Sequence, residues 1–154
     1  MKQNSECSYV DHYEVYKRVK PESLSTYLRD HKNDLLSSRR PFAVFMRAKF
    51  REKQLLQQNV FLAADISENY GYKLISEEKH TTNRDVILRL CLAAHFNLYE
   101  IQEALILYGM APLYYRLPRD IVILVAIYNR IYEIHELNEL LRKCGQVPMI
   151  EDMW

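Results

Sequence analysis

The chain has 154 residues, of which 49% are hydrophobic and 27% are charged. This size and composition are typical of one globular domain or a little more, and they exclude an intrinsically disordered chain. No apolar window approaches the roughly 18 residues of a membrane span, and the polar N-terminus lacks the apolar segment of a secretory signal. We therefore expect a cytoplasmic protein that is not inserted into a membrane.

The net charge of +1 conceals an uneven distribution of charged residues along the chain. Residues 39–84 contain nine basic and five acidic side chains, whereas residues 85–154 contain six basic and nine acidic ones. A surface for a polyanion is therefore expected in the middle block of the sequence.

The spacing of apolar residues and the scarcity of Gly and Pro predict an all-α fold. Residues 1–20 are expected to form an irregular arm, and a first helix is expected to begin at Pro21 and run to about residue 36. A second helix is predicted to begin at Pro41. Its apolar face, with basic side chains away from it, comprises Phe42, Phe45, Met46 and Phe50.

The second half of the chain contains an internal repeat. The stretch 84–112, which begins with Arg-Asp, reappears as the stretch 119–148, with one residue inserted in the turn of the second copy. Each copy is predicted to be a helix, a short turn and a second helix, ended by a left-handed Gly and a Pro. Two copies are too few for a solenoid, so we expect two helical hairpins that pack side by side and on the preceding helices.

Two short helices are predicted between the basic helix and the repeat. Gln57 opens the first, a turn of small, polar, apolar and hydroxyl residues follows at 64–67, and Ser67 caps the second. A polar loop follows at 78–82, and the next helix has apolar residues at helical spacing. This pattern, from about Phe42 to Gly109, resembles the phage-repressor (Xre/Cro-like) helix-turn-helix family, which implies a five-helix domain.

The resemblance also implies a surface that binds DNA. The helix over residues 67–76 would enter the major groove, where Asn pairs with adenine, Lys donates to guanine and Glu accepts from cytosine. Gln57 would contact a phosphate at a helix N-terminus, and basic side chains would add contacts to the backbone. The implied DNA-binding residues are Gln57, Ser67, Glu68, Asn69, Tyr70, Lys73, Lys79, Arg47 and Arg51.

Four positions depart from the pattern of the family. Glu77 stands where members carry a Gly with positive φ, and Glu78 adds negative charge where a basic residue often contacts phosphate. Phe61 occupies a helix-crossing position that is usually small, and Gly71 occupies the position of a core aliphatic residue. An inward turn of a neighbouring tyrosine, Tyr70 or Tyr72, would compensate for the small Gly71.

The sequence offers no arrangement typical of catalysis or of metal binding. No Walker loop, GxSxG, HExxH or CxxC motif occurs, so we expect neither an enzyme nor a bound cofactor or metal ion. The three cysteines have no disulfide or metal spacing, and Cys91 and Cys144 are expected in the core. His95 is expected to be a partly buried structural residue.

Three segments and two functions follow from these patterns. We expect an N-terminal arm and helix over residues 1–38, a helix-turn-helix domain over 39–112, and a helical hairpin with an apolar tail over 113–154 that packs on the domain. The first hypothesis is a bacterial or phage-type transcriptional regulator that binds double-stranded DNA and forms a homodimer through its C-terminal hairpins. The alternative is a non-catalytic adaptor that binds a protein partner through a degenerate helix-turn-helix scaffold.

Overall fold

The computed structural model describes residues 11–149 of the chain. Helices joined by turns make up this part, which contains no strand, so the all-α prediction is confirmed. The chain divides into two units, Met1–Ser38 and Arg39–Trp154. The predicted apolar tail after Met149 lies outside the described residues, as does Cys7.

The first unit contains short helical segments. Helix α1 (Asp11–Glu14) continues into a 3-10 turn, and helix α2 (Leu24–Asp30) follows a second 3-10 turn at Pro21–Ser23. The expectation of an irregular arm over residues 1–20 is therefore wrong where the structure describes it. The expected helix to residue 36 is also too long, because at His31 the backbone leaves the helical conformation and the imidazole Nδ1 hydrogen-bonds the Tyr27 carbonyl at 2.8 Å.

The second unit is a helical bundle built on the apolar face of helix α3. The predicted face is confirmed, since Phe42, Met46 and Phe50 are buried and Phe45 packs against the core. The ring of Phe42 lies edge-on to Tyr108, with 4.7 Å between ring centroids. The helices of this unit are α3 (Pro41–Glu52), α4 (Gln57–Ala63), α5 (Glu68–Ile75), α6 (Arg84–Ala93), α7 (Leu98–Tyr108), α8 (Pro118–Tyr128) and α9 (Ile134–Lys143).

Each of helices α3–α9 is followed by a residue in the left-handed region of backbone space. The next amide then donates to the carbonyl five residues earlier, as Leu55 does to Phe50 at 2.8 Å, which is the Schellman pattern of helix ends. Two of these seven residues are Gly, as predicted for Gly109 and Gly145, although the conformation costs any other residue about 1–2 kcal/mol. The left-handed residues are Gln54, Asp65, Glu77, His95, Gly109, Arg130 and Gly145.

Each of the two repeated hairpins, α6–α7 and α8–α9, begins with an Arg-Asp pair, and the Arg of each hairpin contacts the Asp of the other. Arg84 donates from two nitrogens to Asp120, and Arg119 donates to both oxygens of Asp85 at 2.8 and 2.9 Å. Helix α6 packs on α9, and α7 packs on α8. Such reciprocal contacts relate the hairpins by an approximate two-fold rotation, because a translational stack would satisfy one of the two ion pairs and leave the other open.

Candidate nucleic-acid interface

The turn between α4 and α5 is tight and firmly held. Asp65 adopts a φ of 55°, and the Ile66 amide donates to the Phe61 carbonyl at 3.0 Å. Ser67 accepts a hydrogen bond from the Tyr70 amide at 3.4 Å, so the predicted cap is confirmed. Ile66 is buried below the turn. The direction of α5 is therefore fixed relative to α4 at its first residue.

Phe61 of α4 and Gly71 of α5 are complementary in size. A Cβ atom added at Gly71 would lie 2.5 Å from carbons of the Phe61 ring, well inside van der Waals contact. The aromatic ring on α4 therefore fills the space that a side chain on α5 would need. Tyr72 lies edge-on to Phe61 at 5.0 Å, and Tyr70 is half-buried against the core.

The first turn of α5 presents the polar residues of the predicted interface to solvent. Ser67, Glu68 and Asn69 are exposed, and Gln58 of α4 donates to the Glu68 carboxylate at 3.0 Å. The other predicted residues on this element are half-buried, Tyr70 against the core and Lys73 one turn further on.

Lys79 is exposed and lies beside α5, whereas Gln57 is half-buried at the beginning of α4. The Lys79 ammonium lies 5.7 Å from the centroid of the Tyr70 ring, which places a positive charge beside the exposed face of α5. Gln57 is the first residue of α4, as predicted, and is half-buried.

The basic side chains of α3 divide into two groups. Lys49 and Lys53 contact the buried Glu100 carboxylate, at 3.9 and 3.1 Å. Arg47 and Arg51 are exposed, and in residues 11–149 no hydrogen bond or ion pair joins either of them to α5. Part of the basic segment therefore stabilises the bundle, and the two arginines form a separate positive surface on α3.

The two acidic residues after α5 have different environments. Glu77 has a φ of 58°, in the left-handed region, and its carboxylate accepts a hydrogen bond from the Ala43 amide at 3.1 Å. This contact caps the first turn of α3, where a negative charge is favoured by the helix dipole. Glu78 is exposed to solvent. Of the two carboxylates, that of Glu77 is therefore held by a backbone amide, and that of Glu78 faces solvent.

The side chains of Cys91, Cys144 and His95 lie in different environments. No group of His, Cys, Asp and Glu side chains in this part could hold a metal ion. Cys91 is a core residue, as predicted, and its burial raises the pKa of its thiol. The prediction for Cys144 is wrong, because α9 ends there and the residue is exposed. His95 is likewise exposed, stacked on Tyr132 at 4.2 Å.

One buried charge in this region, that of Arg89, was not predicted from the sequence. Arg89 is 1% exposed, and its Nη1 donates to the carbonyl oxygens of Ala64 and Asp65 at 3.3 and 3.4 Å, in the turn between α4 and α5. The repeat contained a signal, because the equivalent position of the second copy is the aliphatic Leu124. Arg is rarely buried to this extent in proteins unless it is paired, so the exchange of an aliphatic residue for Arg marks this position as unusual.

Comparison of the chain with protein families, with curated proteins and with solved structures finds no match. In the described part, no helix has the length and apolar character needed to cross a membrane. The function must therefore be inferred from the geometry of α3–α5 and of the repeated hairpins.

Proposed function

We propose that the protein is a DNA-binding transcriptional regulator, in which α4 and α5 form the helix-turn-helix of a five-helix domain made by α3–α7. The observation that carries the proposal is the rigid turn at 64–67, followed by a helix whose first residues are polar and exposed. Contacts of α3 with α5 and α7, and of α4 with α5 and α6, around one common core support this proposed arrangement.

The proposed reading helix is α5. An α-helix is about 10–12 Å in diameter with its side chains, which fits the roughly 12 Å width of the major groove, and the eight residues of α5 extend about 12 Å along their axis. Glu68 and Asn69 would contact base edges, with Lys73 further along the helix. Lys79 would contact the phosphate backbone, where charge neutralisation supplies affinity without sequence information.

A direct test compares binding to random duplex DNA at several salt concentrations. For the native chain we expect dissociation constants of roughly 10⁻⁴–10⁻⁶ M that weaken steeply with salt. Combined Lys73→Ala and Lys79→Ala substitutions should weaken binding and reduce the slope of log K against log salt by about 1 to 2. Fluorescence anisotropy at four salt concentrations gives both quantities.

A control for the loss of two charges replaces Lys32 and Lys143, which are exposed on other elements. Equal weakening in the control variant would mean that binding is not centred on α5. Absence of binding at low salt would contradict the proposal and favour the adaptor, for which the exposed carboxylates of Glu68 and Glu78 are the supporting observation.

An apolar face on α8 supports the second part of the proposal, a homodimer. Comparison of the repeats identifies this face, because Val86 and Leu90 of α6 are fully buried whereas the equivalent Ile121 and Val125 of α8 are 43% and 54% exposed. The face continues in Leu117 and Tyr128 and contains no charged side chain, so two copies of it could meet without opposing like charges. A two-fold dimer is also what a helix-turn-helix protein needs to read two half-sites.

A single charge on this face tests the dimer. We expect the native chain to sediment as a dimer at micromolar concentration and Val125→Glu to sediment as a folded monomer, because a buried unpaired carboxylate opposes association. Leu36→Glu, at a residue that is 71% exposed in the connection before α3, should leave the dimer intact. A native monomer, or unfolding of the Val125→Glu variant, would contradict the proposal, the latter because it places the face inside the fold.

A further inference from the structure

The chain leaves the two repeated hairpins in the same way. After α7, Leu113 is 5% exposed, and its amide donates to the Gln102 side chain at 2.7 Å. After α9, Met149 is 4% exposed, and its amide donates to the equivalent Asn138 side chain at 2.7 Å. The two exits are therefore matched up to Met149, where the described part of the chain ends.

The arginine at the beginning of each hairpin holds the exit of its own hairpin. Arg84 donates to the two carbonyl oxygens of residues 111–112, both at 3.4 Å. Arg119 donates to the equivalent carbonyl oxygens of residues 147–148, at 2.8 and 3.4 Å. The approximate two-fold relation therefore extends from the ion pairs to the points where the chain leaves each hairpin.

One contact of the first exit lacks its counterpart in residues 11–149. The Tyr114 amide donates to the Asp120 carboxylate at 2.9 Å. No backbone amide in this part of the chain donates to Asp85, the equivalent carboxylate, whose two oxygens each accept one hydrogen bond from Arg119. A carboxylate offers about four acceptor positions, so Asp85 retains unused ones. The residue equivalent to Tyr114 in the second copy is Ile150, the first residue after the described part.

The beginning of α6 is within reach of the chain that follows Met149. A single nitrogen, Nη2 of Arg119, donates both to the Asp85 carboxylate at 2.8 Å and to the Pro148 carbonyl at 3.4 Å. The backbone two residues before Ile150 is therefore separated from the Asp85 carboxylate by one shared donor.

We propose that the segment 150–154 docks on the beginning of α6, where the Ile150 amide donates to the Asp85 carboxylate as the Tyr114 amide donates to Asp120. The occupant of this surface is the chain's own segment, because Met149 is already buried and anchored there. The contact would join the exit of the second hairpin to the helix that follows α5 in the sequence. It goes beyond the proposed DNA binding and does not depend on it.

The test is NMR spectroscopy of the native chain without DNA, with the Tyr114 amide as the internal reference. In protein labelled uniformly with ¹³C and ¹⁵N, we expect a coupling through the hydrogen bond between the Ile150 ¹⁵N and the Asp85 ¹³Cγ, as between Tyr114 and Asp120. Hydrogen exchange of the Ile150 amide should be slower than in an unstructured peptide by about tenfold or more. In an equal mixture of chains labelled with ¹⁵N alone and with ¹³C alone, the coupling should be absent, because donor and acceptor belong to one chain.

Two matched variants separate the contact from a general loss of stability. Asp85→Asn and Asp120→Asn each remove one charged acceptor and one ion pair between the hairpins. Asp85→Asn should accelerate exchange at Ile150 by about fivefold or more relative to Tyr114, because a hydrogen bond to a charged acceptor is roughly twice as strong as a neutral one. Asp120→Asn should have the opposite selectivity. If a variant fails to fold, the coupling in the native chain decides.

Three results would overturn the proposal. In the first, the Ile150 amide shows no coupling to Asp85 and exchanges as in an unstructured peptide, whereas the Tyr114 amide is protected. In the second, the coupling persists in the mixture of differently labelled chains, which would place the segment of a second copy on this surface. In the third, Asp85→Asn accelerates exchange at both amides equally, which would mean that protection at Ile150 reflects the stability of the whole bundle.

Discussion

Replacing Gly71 with alanine should destabilise the protein, although alanine is the better helix former. Within a helix the substitution gains about 1 kcal/mol of propensity. Here the new Cβ would lie 2.5 Å from the Phe61 ring, which is 1% exposed and enclosed by the core. Overpacking of this kind costs about 1–3 kcal/mol, and more where the neighbour cannot move. We therefore expect a net loss of roughly 1–2 kcal/mol in the free energy of unfolding.

The destabilisation should be specific to the Phe61–Gly71 pair. Phe61→Ala alone should cost about 3–5 kcal/mol by leaving a cavity. Phe61→Ala combined with Gly71→Leu restores a small residue on α4 and an aliphatic one on α5, so the double variant should be more stable than the sum of the single effects by about 1–3 kcal/mol. Urea denaturation of the native chain, Phe61→Ala, Gly71→Leu and the double variant gives the coupling energy. Additive effects within about 0.5 kcal/mol would contradict the complementary packing.

An exposed residue of the same helix provides the control. Asn69→Ala should change the free energy of unfolding by no more than about 0.5 kcal/mol, because its side chain is in solvent. A loss at Asn69 equal to that at Gly71 would mean that α5 is sensitive to any change rather than to the clash.

The helical elements of the second unit were predictable because local signals determine them. The apolar spacing of α3, the caps at Ser67 and the glycine ends at Gly109 and Gly145 act within a few residues of sequence, and all are present in the structure. The first unit was less predictable, since Leu35 continues the helical spacing of Leu24 and Leu28 while the backbone leaves the helix at His31. Short helices without a buried face carry a weak periodic signal.

The contacts that give the candidate site its character were not predictable, because they join distant residues. The sequence shows Phe61 and Gly71 as two unrelated oddities, and the close approach of α4 to α5 shows that each requires the other. The sequence shows Glu77 only as a residue in place of an expected Gly, whereas in the structure its carboxylate contacts the Ala43 amide on α3. Pair contacts of this kind depend on how helices cross, which periodicity does not determine.

Removing Arg84 should be the most damaging single change in the repeated hairpins. The Asp120 carboxylate is 1% exposed, and Arg84 is the cation that contacts it. In an Arg84→Met variant, the Tyr114 amide at 2.9 Å would remain as its hydrogen-bond donor, so a buried negative charge would lack its counter-ion. We expect a loss of about 3–5 kcal/mol in the free energy of unfolding, measured by urea denaturation. Arg116→Met, at an exposed residue of the loop between α7 and α8 that contains Tyr114, should cost no more than about 0.5 kcal/mol.

The approximate two-fold relation between the hairpins provides an internal comparison for this prediction. Arg119→Met removes the equivalent contact to Asp85, which is 7% exposed, so solvent should reduce the loss below that of Arg84→Met. Replacing both members of the first pair, as Arg84→Met with Asp120→Leu, should recover much of the stability, because the uncompensated charge is then gone. A double variant as unstable as Arg84→Met alone would mean that Arg84 stabilises the fold through the Ala111 and Pro112 carbonyls, which lie 3.4 Å from its Nη1, rather than through the ion pair. The recovery therefore distinguishes an ion pair that joins the two repeats from a clamp on the end of one hairpin.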